Sequence, residues 1–275
     1  MLPVLAQLNV AGAEVTVRAY STCLLLAAIA AGWLFVRAAG GVGASRRRAL
    51  LVLLAAVAAG VVGARALDVA LNPAVYARDP GLIVSPAAKG FALYGGLAGA
   101  SAVVLVGSGW LRVERARLAD VSVPAVATGI AIIRVGCFLN GCCGGNPATL
   151  PWALRFPPGG SSWSGQLLEG STGAIFGRVE PVHPTQLYEL AAVLALAWLS
   201  GAVAARWRLA PGGRAILFAA LFLAFRVVNQ QLRAPTPGVL GPAALTAVYV
   251  LGALLALGLA VANARPSRRA VGEAA

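Results

Sequence analysis

The sequence predicts an all-α, polytopic membrane protein with about seven transmembrane helices, and three observations support this. Of its 275 residues, 59% are hydrophobic and only 11% are charged, with a mean hydropathy of +0.82, whereas soluble domains contain about 25% charged residues. Several apolar runs reach about 20 residues, the length that crosses a bilayer as a helix. The net charge of +13 comes from arginines at the ends of these runs, where positive charge orients membrane proteins. We therefore expect one transmembrane domain over residues 1–275 and no nucleic-acid partner.

Seven apolar segments can be identified along the chain. They cover residues 17–36, 49–71, 91–111, 121–141, 184–204, 214–233 and 240–262. Thirteen of the 22 Lys and Arg residues follow the odd-numbered segments: Arg37, Arg46, Arg47, Arg48, Arg112, Arg115, Arg117, Arg206, Arg208, Arg214, Arg265, Arg268 and Arg269. The positive-inside rule places these residues in the cytoplasm, with the N-terminus outside and the C-terminus in the cytoplasm. A removable signal peptide is not expected, because no basic cluster precedes the first apolar run.

Three arginines, Arg65, Arg134 and Arg226, lie inside predicted spans. A charge in the hydrocarbon costs about 2.5–3.5 kcal/mol on insertion scales, so such residues usually face a cavity or a partner. At about 1.5 Å per residue, the three side chains lie roughly 18–24 Å along helices that all run outward. We therefore expect a cationic site in the outer half of the bilayer. Two long outer loops, residues 72–90 and 142–183, are typical of lids or binding segments and also favour an outer site.

The sixth span carries Arg226, Gln230 and Arg233 at i, i+4 and i+7, which predicts one polar helical face. Such a stripe inside an apolar span favours a cavity lining over a solvated face. At the end of the fourth span, Arg134 and Asn140 can both donate hydrogen bonds to an anion. These donors agree with an anionic ligand.

Cys137, Cys142 and Cys143 follow Arg134 closely. They suggest a metal site, but no neighbouring His or CxxC pair supports it. Packing as small apolar side chains is the favoured interpretation. The sequence therefore predicts neither a metal nor a cofactor.

His183, the only histidine, stands just before the fifth span, beside Gln186, Tyr188 and Glu189. A histidine titrates near neutral pH and can transfer protons, although a lone loop histidine often has no special role. The outward N-terminus of this helix can also meet an anion. In the third span, Tyr94 can point its hydroxyl to a polar site or act as an interfacial anchor.

In the second span, Arg65 and Asp68 are expected to form an ion pair, because residues three apart in a helix are neighbours. In the third span, Gly95 and Gly96 permit close helix packing.

Together, these segments resemble the prolipoprotein diacylglyceryl transferase family. The matching pieces, in the family's order, are Tyr20, Gly63-Ala64-Arg65, Tyr94-Gly95-Gly96-Leu97, Arg134 to Gly141, Leu150-Pro151-Trp152, His183 to Glu189 and Arg226 to Arg233. The resemblance implies a seven-span enzyme of the bacterial inner membrane without a cofactor. It would move the diacylglyceryl group of phosphatidylglycerol onto the lipobox cysteine thiol of a prolipoprotein signal peptide and release glycerol phosphate.

The resemblance also implies roles for individual residues. Arg134 and Arg226 would hold the phosphate, and Asn140 and Gly145 would shape the lipid site. With His183 or Tyr94 as our own candidate for the proton carrier, Arg134, Arg226, His183 and Tyr94 are the predicted catalytic residues. The predicted substrate-binding residues are Tyr20, Arg65, Gly95, Gly96, Asn140, Gly145, Gln186, Tyr188, Glu189, Gln230 and Arg233.

The chain departs from the family pattern at several of these positions. The family usually has histidine at Tyr94, asparagine and glutamate at Cys137 and Cys142, and glutamate at Gln230. These departures favour one alternative, a non-catalytic relative that binds phospholipid or a lipoprotein precursor. A second alternative is an anion transporter, because buried arginines also mark transport pathways.

Overall fold

A computed structural model describes residues 3–10, 13–85, 93–157, 163, 166, 179–234 and 242–264. The described chain is mostly helical, with one two-stranded sheet near its start, which confirms the all-α prediction. The elements in chain order are β1 (Val4–Val10), β2 (Ala13–Arg18), α1 (Ala19–Gly41), α2 (Arg46–Leu71), α3 (Pro73–Arg78), a 3₁₀ turn (Pro80–Ile83), α4 (Leu93–Leu111), α5 (Arg115–Leu139), α6 (Thr185–Trp207), α7 (Gly213–Leu232) and α8 (Pro242–Ala264).

Within the described residues, six helices are long and apolar enough to cross a membrane, and a seventh, α4, holds a shorter apolar stretch at Ala98–Leu111. All seven lie within a few residues of the predicted spans. Large apolar side chains face outward along them: Trp198 is 74% exposed and Leu251 is 66% exposed. Because apolar surface of this kind needs lipid around it, the chain is a multi-pass membrane protein.

The N-terminal segment differs from the prediction. Residues 17 and 18, assigned to the first span, lie in β2, which pairs antiparallel with β1. The segment Ala13–Arg18 alternates small or polar residues with Val15 and Val17, and β-branched residues favour a strand. Because several residues of this short stretch are apolar, its alternation of side chains every two residues was read as the start of a membrane span.

The outer loop predicted at residues 72–90 is also partly helical. Pro73 opens α3, where its fixed φ suits the first helical turn. In the following 3₁₀ turn, the Asp79 side chain accepts a hydrogen bond of 3.0 Å from the Gly81 N–H.

The chain forms two compact units, one made of residues 1–31 and 123–275 and the other of residues 32–122. The single transmembrane domain stays a prediction. In the unit of residues 32–122, α2 and α4 pack backbone against backbone. A Cβ added at Gly95 or Gly99 would collide with the carbonyls of Gly63 or Ala59. Small residues at such a contact permit the close approach of membrane helices.

The other unit has its core between α5, α6 and α7. Six buried apolar residues form it: Val123, Ala127 and Ala131 of α5, Val193 and Ala197 of α6, and Phe218 of α7. The rings of Phe218 and Phe222 stack with centroids 5.9 Å apart. This packing fixes the three helices that carry Arg134, Glu189 and Arg226.

Candidate active site

Arg134 of α5 and Arg226 of α7 meet at one carboxylate, that of Glu189 on α6. The Arg134 Nη2 atom donates to Glu189 Oε1 at 2.7 Å, and the Arg226 Nη1 atom donates to Glu189 Oε2 at 2.5 Å. The three side chains are 15%, 9% and 4% exposed, in the order Arg134, Arg226, Glu189. The expected convergence of these two arginines is therefore present, around a carboxylate of the chain itself.

Asn229 and Tyr249 complete the surroundings of Arg226. The Asn229 Nδ2 atom donates to Glu189 Oε2 at 3.4 Å, and Arg226 Nη2 donates to the Tyr249 hydroxyl at 2.8 Å. The Arg226 guanidinium also lies over the Tyr249 ring, 4.9 Å from its centroid. These contacts hold Arg226 in a single orientation.

Sequence reasoning did not assign a role to Asn229 or Tyr249. Asn229 follows Arg226 by three residues, so the same helical spacing that selected Gln230 also indicates it. Tyr249 lies in an apolar stretch of α8 with no nearby polar signal, and only the folded contact reveals it.

The charges and donors of this cluster suit an anion. Two guanidinium groups against one carboxylate leave one excess positive charge at these three residues. Among the described residues, the buried Arg134 Nε–H group makes no hydrogen bond within the chain. Buried charges and donors need partners, so an anion near Arg134 would satisfy both its charge and its spare N–H.

His183, Tyr188 and Trp152 form a second polar group in the same unit. The His183 Nδ1 atom lies 3.4 Å from the Tyr188 hydroxyl. The Trp152 Nε1–H donates to that hydroxyl at 2.8 Å. His183 is therefore oriented by a tyrosine that is itself held by a tryptophan.

The loop after α5 connects to α6 and α7 through its backbone. Gly145 N–H donates to the His183 carbonyl at 2.9 Å, and Gly145 pairs with Arg233 in a β-bridge. A Cβ added at Gly145 would stand 2.5 Å from the Leu232 carbonyl oxygen and 2.6 Å from the His183 Cβ. No side chain larger than hydrogen fits there without a shift of the backbone.

The helix α5 ends in a Schellman motif that brings thiols together. Gly141 has φ +69°, Gly141 N–H donates to the Phe138 carbonyl at 3.1 Å, and Cys142 N–H donates to the Cys137 carbonyl at 3.0 Å. This motif places residue C″ against residue C3, which are here Cys142 and Cys137. The Sγ atoms of Cys137, Cys142 and Cys143 all lie within 4.8 Å of one another.

The charge state of Cys143 depends on its neighbours. Hydrogen bonds from the thiols of Cys137 and Cys142 lower the pKa of the Cys143 thiol, and the positive charges of Arg233 and Arg134 act in the same direction. A thiolate at this position has hydrogen-bond donors and nearby cations to stabilise it.

The family comparison agrees with the motifs. The family model for prolipoprotein diacylglyceryl transferase matches residues 6–264. The chain belongs to the prolipoprotein diacylglyceryl transferase family. A relative from Dehalococcoides mccartyi, named phosphatidylglycerol–prolipoprotein diacylglyceryl transferase, is 32% identical over 244 residues, which cover 88% of this chain and 86% of the relative. A relative of the same name from Azoarcus sp. strain BH72 is 30% identical over 227 residues, which cover 77% of this chain and 76% of the relative.

Three further predicted site residues of this family member, Tyr20, Asn140 and Gln186, lie in the unit of residues 1–31 and 123–275. Tyr20 lies in the first turn of α1, and its Cα would be 3.5 Å from a Cβ added at Gly136, two residues beyond Arg134 in α5. Asn140 caps α5, and its N–H donates to the Gly136 carbonyl at 3.0 Å. Gln186 is buried and donates through Nε2 to the Cys142 carbonyl at 2.7 Å.

One sequence expectation for this diacylglyceryl transferase family member is wrong. Arg226, Gln230 and Arg233 were expected on one helical face, but α7 ends at Leu232 and Arg233 is extended, with φ −80° and ψ 140°. The bridge to Gly145 draws Arg233 out of the helix. Gln230 is half-buried in the last turn of α7.

Four predicted site residues of this family member lie in the unit of residues 32–122. Arg65 donates to the Tyr76 hydroxyl at 3.2 Å and to the Ser85 carbonyl at 3.1 Å, and the Tyr76 hydroxyl donates to Asp68. Tyr76 therefore links the Arg65 and Asp68 side chains that were expected to pair. Gly95 and Gly96 contact α2. Tyr94 is the second residue of α4, and its side chain lies outside what the structure describes.

Proposed function

We propose that this chain transfers the diacylglyceryl group of phosphatidylglycerol to the lipobox cysteine thiol of prolipoproteins. The observation that carries the proposal is the buried cluster of Arg134, Glu189 and Arg226 in a member of this family. Phosphatidylglycerol has an anionic phosphate, and arginine can bind phosphate through two N–H groups at once. The relatives' names specify the same lipid and acceptor.

The reaction explains why fixed cations are needed. The acceptor sulfur forms a bond to the glycerol carbon that carries the phosphate oxygen, and the carbon–oxygen bond breaks. Glycerol phosphate leaves with additional negative charge on its phosphate. Guanidinium groups already held in place stabilise this developing charge without reorganising, which lowers the barrier. Glu189 and Tyr249 hold Arg226 in this way.

The acceptor thiol must also lose a proton. His183 is our proposed proton carrier, because a neutral histidine that donates Nδ1–H to Tyr188 has an Nε2 lone pair that can accept a proton. Trp152 holds the Tyr188 hydroxyl in position. Tyr94 is the second candidate carrier, at the position where the family usually has histidine.

The cellular setting follows from the charge distribution. We propose that the protein lies in the bacterial inner membrane, with its N-terminus outside and its C-terminus in the cytoplasm, because 13 of the 22 Lys and Arg residues follow the odd-numbered spans. Prolipoprotein signal peptides then meet the site from within the same membrane, as does phosphatidylglycerol. No nucleic acid takes part.

A purified assay tests the function. The protein is incubated with phosphatidylglycerol and a lipobox peptide, and the thioether product is measured by mass. We expect product from the wild type and at least a tenfold loss of rate in Arg134→Lys and Arg226→Lys, because lysine keeps the charge but not the bidentate fork. Arg117→Lys is the matched control: this exposed residue pairs only weakly with Glu114 and should leave the rate unchanged.

The outcomes also separate the alternatives. Phospholipid binding without any thioether product would select the non-catalytic relative, which the replacements at Tyr94 and Gln230 favour. Anion flux into proteoliposomes without product would select a transporter. Equal rates for the wild type and both lysine variants would contradict the proposed phosphate site.

A further inference from the structure

The three clustered thiols form a group that the proposed reaction has not used. All four cysteines of the chain are free, and three of them, Cys137, Cys142 and Cys143, have Sγ atoms within 4.8 Å of one another. Zinc–sulfur bonds are about 2.3 Å long, so three thiolates on one zinc lie roughly 3.8–4.0 Å apart. Rotation of the thiol side chains by small angles is enough to reach that spacing.

The backbone that carries these thiols is firmly held. Thr185 Oγ1 donates to the Cys143 carbonyl at 2.7 Å, and Gln186 Nε2 donates to the Cys142 carbonyl at 2.7 Å. Both donors come from the first turn of α6 and are 1% exposed. Cys143 has φ +63°, a left-handed conformation that is uncommon for a residue other than glycine. A fixed set of ligands lowers the cost of ordering them around a metal ion.

Access and charge also suit a metal. Cys137 is buried, whereas Cys142 and Cys143 are half-buried, so the group is open on one side. Three thiolates around Zn²⁺ carry one net negative charge. The Arg134 Nη1 atom lies 3.8 Å from Cys137 Sγ and offsets that charge.

We propose that Cys137, Cys142 and Cys143 bind Zn²⁺ through three thiolates and leave its fourth position open to an incoming thiolate. Three protein ligands with one open position is the arrangement of catalytic zinc sites. Arg134 contacts both Cys137 and Glu189, so its guanidinium lies beside the proposed ligand set.

This arrangement deepens the proposed function and rests on it: the acceptor of that reaction is itself a cysteine thiol. On binding zinc, the acceptor thiol releases its proton to His183, the proton carrier proposed above, and its sulfur becomes the fourth ligand, because a metal-coordinated thiol is deprotonated. The sulfur then bonds to the glycerol carbon, the carbon–oxygen bond breaks and glycerol phosphate leaves. After the product leaves, zinc is bound by the three protein thiolates and one water molecule. Such activation needs no histidine at the position of Tyr94.

Zinc content tests the metal site without any activity measurement. The full-length protein, purified in detergent and exposed to Zn²⁺, is analysed for metal per chain. We expect one zinc in the wild type and in Cys23→Ala, whose cysteine lies outside the cluster, and at least a tenfold loss of zinc affinity in Cys142→Ser. Equal zinc binding by the wild type and Cys142→Ser would overturn the proposal, as would binding of Cu(I) but not Zn²⁺.

A second measurement on the wild type does not depend on a variant folding. Added Zn²⁺ should slow alkylation of Cys142 and Cys143 at least tenfold and leave Cys23 unaffected. Unchanged alkylation of all of these thiols would contradict zinc binding.

The open position is tested with the cobalt form. A lipobox peptide should change the thiolate-to-cobalt absorption, whereas the same peptide with serine in place of its cysteine should not. Identical spectra with both peptides would overturn the role of the fourth position. Product formed at an undiminished rate by zinc-free protein would overturn the zinc role while the transferase function stands. Bound zinc without any product would leave the metal site standing and remove the transferase function.

Discussion

At the scale of single residues, Glu189 determines how the two buried arginines are arranged. Glu189 was predicted as one of eleven substrate-binding residues, because it lies in the segment from His183 to Glu189 that resembles the family. Its contact with both Arg134 and Arg226 could not be derived from spacing, since the three residues belong to different helices. The sequence did show that each arginine lies deep within its span. This depth predicts that each arginine has a partner, because buried cations need one.

Glu189→Gln is expected to destabilise the protein and to abolish its transferase activity. Removing one partner of a buried ion pair typically costs about 3–5 kcal/mol, because the remaining charges stay buried and uncompensated. The midpoint of thermal unfolding in detergent, followed by tryptophan fluorescence, measures this loss.

Glu114→Gln is the matched control for that experiment. Glu114 pairs with Arg117 at the surface, where the two side chains are 56% and 64% exposed. Exposed pairs contribute about 0–1 kcal/mol, so the unfolding midpoint should scarcely move. Equal shifts for Glu114→Gln and Glu189→Gln would contradict the structural role of Glu189.

At the scale of elements, the helices were predictable and several of their ends were not. Apolar runs of sufficient length are a strong signal, and all seven predicted spans coincide with helices. Helix ends depend on local hydrogen bonds, which composition does not report. Gly141 is the exception: a glycine after a helix indicates a Schellman motif, and its C3–C″ contact would have placed Cys142 against Cys137.

Gly99→Ala is expected to weaken the packing of α4 against α2. The added Cβ would collide with the Ala59 carbonyl, and overpacking a tight contact typically costs about 1–3 kcal/mol. A lower thermal midpoint should report this. Gly109→Ala, in the same helix, is the control, because nothing lies within 4 Å of its added Cβ. Alanine stabilises a helix relative to glycine, so Gly109→Ala should not lower the thermal midpoint. An equal fall of the midpoint in Gly109→Ala and Gly99→Ala would contradict the packing argument.

At the scale of the whole molecule, the alternation of charge predicts orientation. The short connections after α1, α4 and α6 each carry or adjoin arginines. Arg48 also contacts Trp110, with its guanidinium 5.9 Å from the ring centroid, as interfacial anchors do. The number of spans could be predicted from composition, whereas no feature of the sequence predicted the division into two compact units.

Reporter fusions test this orientation. Alkaline phosphatase, which is active only outside the cytoplasm, should be inactive when fused after Arg112 or Arg208 and active when fused after Asp79 or Leu150. A fluorescent protein that matures only in the cytoplasm should give the opposite pattern. Activity of the phosphatase at Arg112 and Arg208 would reverse the proposed topology.

The carboxylate between the two guanidinium groups also bears on turnover. Two unopposed arginines in a low-dielectric setting would hold a departing phosphate dianion tightly, and release would then limit the rate. Glu189 already pairs with both arginines, so we propose that it competes with the product for their N–H groups, lowers the affinity for the product and keeps both cations in place. By this proposal, a residue that takes no part in bond making speeds product release before the next lipid binds.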